Sequence, residues 1–280
     1  MSDKGELDKL EIKGNGKYVL ELPYDVDGEL VEFPDPIAED DSEAWNTTTL
    51  KLSTAQLILT TAKASLLNSN DLSIPYTGYY LSDKIVTTDS YKICGINIPV
   101  FDEPKLLSAD TMALLDVFTN EDIEVKYNED TVIFSTPNVA VYGKFMDSID
   151  EFQIEPVSAL LDEPFASSCK IDKSKLLQML DRLSLFVNVD DKNGVYLTFT
   201  KDGLSVSNKH DNGSELIPYI ESKEFTDYTC CVDISMLTSQ VKANKAAAIE
   251  IFYGKDNTIK LVDGNVKQVI ALSDDDRFAE

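Results

Sequence analysis

The sequence predicts an α+β protein made of two like units in tandem, and three observations carry that expectation. First, residues 123–145 (IEVKYNEDTVIFSTPNVAVYGKF) return near the C-terminus as residues 249–272 (IEIFYGKDNTIKLVDGNVKQVIAL). Ile123-Glu124-Val125 matches Ile249-Glu250-Ile251, Tyr127 matches Tyr253, and Asn138-Val139 matches Asn265-Val266. Second, both copies alternate apolar and polar residues about a turn, Asn128-Glu129-Asp130 in one and Gly254-Lys255-Asp256-Asn257 in the other, which is the period of a half-buried antiparallel strand pair. Third, each copy closes the same order of segments: helix, strands, helix, strands. Gly78-Tyr79-Tyr80-Leu81 is even echoed by Gly194-Val195-Tyr196-Leu197. A repeat of this period is a property of the architecture, and helices kept apart from antiparallel strands define the class.

Taken in order, residues 9–13 and 17–22 read as a hairpin about Gly14-Asn15-Gly16. One hairpin is too little to fold alone. Residues 34–48 (PDPIAEDDSEAWNTT) are proline- and acid-rich, as in a linker. Ser53 or Thr54 can cap a helix to about Leu67, with Gln56, Thr60 and Lys63 on one stripe. After a loop over 68–77, residues 78–81 and 84–88 pair, and further strand runs to Val100. Ser108 caps a helix over 109–118, and residues 123–145 close the unit. A connection over 157–170 follows, holding Pro164 and preceded by Pro156. Asp172 caps a helix over 173–187, with Leu176, Leu177, Leu180 and Leu183 on its apolar face and Lys175, Gln178 and Arg182 opposite. Asn193-Gly194 opens a strand pair, 195–200 and 204–208, around Lys201-Asp202-Gly203, and strands at 215–220 and 228–232 follow. Asp233 caps a last helix, with Ile234, Leu237 and Val241 inward and Lys242 and Lys245 outward. The expected layout is a hairpin and acidic linker over 1–46, one domain over 47–156 and a second over 157–280.

Composition narrows the function. The 50 acidic against 25 basic side chains leave a formal charge of −25. That argues against a protein binding nucleic acid through a broad basic surface. There is no apolar run long enough for a membrane span, and the charged start MSDKGELDK is no secretion signal. Cys94, Cys169, Cys230 and Cys231 have no ligand spacing and read as reduced strand residues of a cytoplasmic protein. The one histidine, His210, lies in a polar loop beside Asp211-Asn212-Gly213. Asp40-Asp41 and Asp190-Asp191 read as solvated loop carboxylates, and Lys192 spoils a calcium loop at 190–194. No phosphate loop or HExxH motif is present. No catalytic residue, metal or cofactor is expected.

Three stretches resemble the second and third domains of the bacterial DNA polymerase III β sliding-clamp family. Val86-Thr87-Thr88-Asp89-Ser90-Tyr91-Lys92-Ile93 is similar to its VATDGHRL segment. Residues 180–207 (LDRLSLFVNVDDKNGVYLTFTKDGLSVS) resemble the start of its third domain, and residues 123–156 the close of its second. Residues 7–34 are similar only to the last hairpin of its first domain. The resemblance implies tandem DNA-clamp domains in a ring, strands outside and helices inside. The ring would be a non-enzymatic processivity factor that encircles duplex DNA without reading its sequence. A clamp loader opens it, and a DNA polymerase binds it through a short peptide. It implies a homo-oligomer in a bacterial cytoplasm, phage-encoded in one version. If the chain is complete, two domains per subunit need three subunits to make six, and a truncated three-domain clamp would not close as a dimer.

The family's site residues carry over as expectations. Lys63, Lys173, Lys175, Arg182, Lys242 and Lys245 are the expected channel wall, although the helix over 109–118 carries Asp110 and Asp116 and no base. The partner-peptide pocket is expected at Tyr76, at Thr88, Ser90, Tyr91, Lys92 and Ile93, at Ile149 and Ile154, and at Thr258, Val269, Ile270, Ala271 and Leu272. Ser90 and Tyr91 stand where the family has Gly-His, Ala271 where it has proline, and Ser273 with an acidic tail where it ends in Arg-Leu. Two other classes fit the composition: a clamp-like decoy or DNA mimic that binds replication partners without encircling DNA, and an enzyme with an acidic metal site.

Overall fold

The computed structural model describes residues 9–21, 44–187, 194–209, 213–255 and 257–273. His210, Asp40-Asp41, Asp190-Asp191 and the acidic tail lie outside the described residues. The chain divides into two compact units, Met1–Glu43 and Ala44–Glu280. In the first, β1 (Lys9–Lys13) and β2 (Lys17–Glu21) pair antiparallel with Lys13 opposite Lys17. The turn is closed by the Gly14 N–H donating to the Gly16 carbonyl at 2.9 Å.

The second unit contains two structural repeats. The first runs β3 (Asn46–Leu50), α1 (Leu52–Thr60), β4 (Gly78–Leu81), β5 (Ile85–Thr88), β6 (Lys92–Ile96), β7 (Lys105–Ser108), α2 (Ala109–Ala113), β8 (Ile123–Tyr127), β9 (Thr131–Thr136) and β10 (Val139–Lys144). After α3 (Ile154–Asp162) the second runs β11 (Ser167–Asp172), α4 (Lys173–Leu183), β12 (Gly194–Thr200), β13 (Gly203–Asn208), β14 (Ser214–Ile217), β15 (Glu221–Lys223), β16 (Tyr228–Asp233), α5 (Ile234–Ala243), β17 (Ala248–Tyr253), β18 (Thr258–Asp263) and β19 (Val266–Ala271). With β15 set aside, the repeats correspond element for element.

The sheets make the correspondence exact in order. The first repeat forms a closing sheet β10-β9-β8-β3 and an opening sheet β6-β5-β4-β7. The second forms β19-β18-β17-β11 and β14-β13-β12-β16. The closing sheet of the second repeat then joins the opening sheet of the first through β19 and β6, so that one nine-stranded sheet, β15-β11-β17-β18-β19-β6-β5-β4-β7, crosses the seam. Registers agree as well. Gly78 lies opposite Ser108 and Gly194 opposite Asp233, and both partners cap the following helix through their side chains. Leu50, Ala55, Ile58 and Ala62 of the first core take the places of Ile171, Leu176, Met179 and Leu183 in the second, and all eight are buried.

Strand alternation explains the layers. Tyr79, Leu81, Cys94 and Ile96 point into the first core with α1 and α2, while Tyr80, Ile93 and Gly95 point to the other face of the sheet, where α3 lies. A Cβ on Gly95 would sit 2.6 Å from Leu161 Cδ1, so glycine lets α3 approach β6. The four cysteines are free and buried, and burial pushes Cys94 and Cys169 up to about 12.

Several expectations are corrected. The duplicated stretch is a three-stranded meander in each copy, not a strand pair, because Pro137-Asn138 and Gly264-Asn265 make a second turn. Strand β3 begins inside the segment read as linker, and β7 falls in the stretch between Val100 and Ser108, to which no element had been assigned. α1 starts at Leu52, and its end is capped from a distance: the Leu52 N–H donates to Asp122 Oδ1 at 2.9 Å. The first three expected helices stop early and finish in 3-10 turns, at Ala62–Ser65, Leu114–Val117 and Ser184–Phe186. The connection read over 157–170 contains most of α3 and the start of β11. Pro156 sits in the first turn of α3, where no intrahelical N–H is needed.

Candidate functional site

α1, α4 and α5, with the turns that follow them, reverse the sign of the chain. α1, α4 and α5 hold one acid among them, Asp181. Lys63, Lys175, Lys242 and Lys245 are exposed there. Lys242 Nζ is 3.7 Å from Asp181 Oδ1. The other two predicted bases are committed within the protein. Lys173 Nζ donates to the Asn244 carbonyl and, at 3.3 Å, to the Lys242 carbonyl, which places a cation at the negative end of α5. Arg182 grips Glu215 of β14 through two parallel hydrogen bonds, Nε–Oε1 at 2.7 Å and Nη2–Oε2 at 2.5 Å. The pair holds the Glu215 carboxyl below its ordinary range. α2 and its 3-10 turn present Asp110, Asp116, Leu114 and Val117 instead.

The seam between the repeats is held by backbone and by amides. Val266 lies opposite Ile96, Gln268 opposite Cys94 and Ile270 opposite Lys92. Behind this ladder, Gln240 Nε2 donates to Ser65 Oγ at 2.9 Å and to the Ala64 carbonyl at 3.1 Å. Asn244 Nδ2 donates to the Gln240 carbonyl at 2.8 Å and to Gln268 Oε1 at 2.5 Å. Thr61 Oγ1 donates to the Ala243 carbonyl at 2.8 Å. All three amide side chains are buried.

The predicted pocket residues separate into groups. Tyr76, Ile93, Ile149, Ile154 and Val269 meet in one apolar cluster under α3. Its centre is Phe152, which sequence reasoning passed over. The Phe152 ring stacks on Tyr80 at 5.1 Å between centroids and meets Tyr76 edge-on at 5.4 Å. Tyr91 is 62% exposed on the turn beside the cluster, and its carbonyl accepts from the Ala271 N–H at 2.8 Å. Ser90 holds that turn in the left-handed region at φ 76°, its N–H donating to Thr88 Oγ1. Lys92 points elsewhere, donating to the Ala64 carbonyl at 2.9 Å and pairing with Asp89 at 3.1 Å. Thr258 is buried, and Ile270 and Leu272 pack in the core of the second repeat. Beside the cluster, a cavity of about 310 Å³ opens across the seam between Lys84, Gly95, Asn97, Asp162 and Lys267. Lys260 ties α3 down from behind, donating to the Leu161 and Glu163 carbonyls at 3.1 and 2.5 Å, and burial lowers its pKa. Among the described residues no group of three acidic, cysteine or histidine side chains is arranged to hold a metal.

No family model and no curated protein sequence matches the chain. Solved structures do. The β subunit of DNA polymerase from Streptococcus pyogenes superposes with a TM-score of 0.73 at 20% identity, over 94% of this chain and 73% of that one. The chain has the sliding-clamp fold. The DNA polymerase sliding clamp from Bacillus subtilis gives a TM-score of 0.74 at 14% identity, over 95% and 72% of the two chains. The β subunit from Thermotoga maritima gives 0.73 at 16%, over 96% and 74%. The clamp fold thus covers both repeats and the seam between them. Among the described residues no helix of this clamp fold is long and apolar enough to cross a membrane.

Proposed function

We propose that the protein is a DNA sliding clamp, a non-enzymatic tether that encloses duplex DNA in the bacterial cytoplasm. A clamp loader opens it, and a replicative polymerase then binds its face and stays on the template. The observation that carries the reading is the sign of the helix face: in a chain of net charge −25, the exposed bases Lys63, Lys175, Lys242 and Lys245 gather on or beside α1, α4 and α5. Enclosure needs only weak, sequence-blind phosphate contacts, and an acidic exterior repels DNA from every other approach. Where a subunit contributes only these two repeats, a six-domain ring takes three copies. The cluster of Tyr76, Ile93, Ile154 and Val269, with the exposed Tyr91 beside it, is the anchor for an apolar partner peptide.

The test is topological. The protein is loaded onto nicked circular DNA with the replication machinery of its host, and the DNA is then cut. Retention on the circle and release from the cut ends are expected, as is a large loss of retention for Lys63→Glu/Lys175→Glu/Lys242→Glu. Equal retention on circular and linear DNA overturns enclosure. Polymerase binding with no retention on circles favours the decoy.

A further inference from the structure

We propose that a groove beside the apolar cluster binds a basic side chain, lysine or arginine, of the same partner peptide that the cluster anchors. The proposal rests on the cluster reading above for the anchor and adds the charge of the residue next to it. The groove is a cavity of about 600 Å³ between the loop before β4, the start of α2 and the stretch that follows β10. Leu72, Phe145 and Met146 supply its apolar wall, and Asp147, Glu151 and Lys144 its charged lining. Met146 joins the groove to the cluster, since it packs there with Tyr76 and Ile149.

The turn that walls the groove is Asp147-Ser148-Ile149-Asp150-Glu151, a 3-10 segment. A period of three sends Ile149 and Phe152 into the cluster and leaves Asp147, Asp150 and Glu151 exposed. Glu155, in the first turn of α3, adds a fourth exposed carboxylate. On the loop before β4, Asp71 accepts from the Ser73 N–H and Oγ at 3.0 and 2.6 Å, which fixes a further carboxylate beside the lining. Elsewhere Asp89, Asp162, Asp181, Glu163, Glu215 and Glu250 each have a base at hand. Among the described residues none is set against Asp147, Asp150, Glu151 or Glu155. Ser148 Oγ, on the same turn and in the lining, is buried without a hydrogen-bond partner, which is uncommon for a polar atom. It offers an acceptor to an incoming ammonium or guanidinium. The carboxylates are strung along the turn, and among the described residues no three are gathered to hold a metal ion. A lysine or arginine suits them better, with its methylenes on Phe145 and Met146 and its charge at Asp147 and Glu151. The far end of α3 has the opposite sign, for Lys84, Lys260 and Lys267 all act on Asp162. A peptide over the cluster therefore meets acids at one end and bases at the other, and a base at the wrong end is repelled.

The experiment is selection of random short peptides, displayed on phage, against the full chain. Peptides with apolar anchors and a lysine or arginine on one side of them are expected. Selection against Asp147→Asn/Glu151→Gln, which keeps the shape of both side chains, is expected to retain the anchors and lose the base. In fluorescence anisotropy at low salt this variant is expected to bind a selected peptide about fivefold more weakly. It should bind the same peptide with its base replaced by alanine as well as the unmodified chain does. Asp202→Asn/Glu221→Gln removes equal charge from exposed positions of the second repeat and is expected to change nothing. Anchors selected without a base, or equal weakening by both double variants, overturn the groove and leave the cluster reading standing. Bases selected without apolar anchors remove the cluster reading and leave the groove. Selection of neither overturns both.

Discussion

At the in-chain seam, the ladder of β19 and β6 is backed by Gln240, Asn244 and Gln268, all buried amides. At the outer edges β10 and β14, the equivalent layer is Leu114, Val117, Leu185 and Phe186, all exposed. The two places share strand order and helix placement and differ in chemistry. A seam closed once, as the chain folds, can use hydrogen bonds whose geometry admits one register and whose donors never return to water. A contact that starts from two solvated surfaces draws its free energy from apolar burial, about 1.5–3 kcal/mol for each large side chain fully covered. The difference separates a seam closed within the chain from edges whose flanking side chains face solvent.

The sharpest way to break this comparison is to truncate one phenylalanine on each side of it. Phe152→Ala empties the cluster beneath α3 and is expected to cost about 3–5 kcal/mol in urea unfolding. Phe186→Ala is expected to leave the stability of the single chain within about 0.5 kcal/mol while weakening assembly. Equal losses would erase the distinction between seam and edge. A smaller effect is expected from Asn244→Leu. It strips the Gln268 amide of its partner inside the seam and is expected to cost about 1–3 kcal/mol. Adding Gln268→Leu removes the orphaned amide and should restore part of the loss, since an apolar seam also packs. Failure to recover would show that the amides do more than fill space.

The smallest expected effect is that of acid. Hydrogen bonding to Lys267 lowers the pKa of Asp162 at the end of α3, and hydrogen bonding to Arg182 lowers that of Glu215 on β14. A depressed carboxyl stabilises the fold above its unfolded value of about 4, and the gain is lost as pH falls through the folded value. Melting temperature should therefore be flat from neutral pH to about 5 and drop below it at low salt. Glu215→Gln should blunt the part of the drop that belongs to β14 and spare the part at α3.

The duplication was legible because alternation and matched residues such as Ile123 and Ile249 survive in the sequence, and so were the caps at Ser108, Asp172 and Asp233. What was hidden depends on distant partners. The start of α1 could not be read from Ser53 or Thr54, because its cap is Asp122, from the loop before β8. α3 was masked by Pro156, which looks like a breaker and is in fact a first-turn residue. Lys63, Lys175, Lys242 and Lys245 could be read as an exposed set from helical spacing alone. Lys173 and Arg182 looked the same in sequence, and only the fold brings the Asn244 carbonyl and Glu215 to them. Phe152 had no periodic signature at all, since it lies between a 3-10 turn and α3.

α3 also has a mechanical consequence. It crosses the seam on the sheet face away from the helices, resting on Gly95 and anchored behind by Lys260. A load that pulls the repeats apart is therefore shared in parallel by the β19–β6 ladder, by α3 and by the covalent chain. Parallel elements stiffen one another, so the two repeats behave as a single splinted beam.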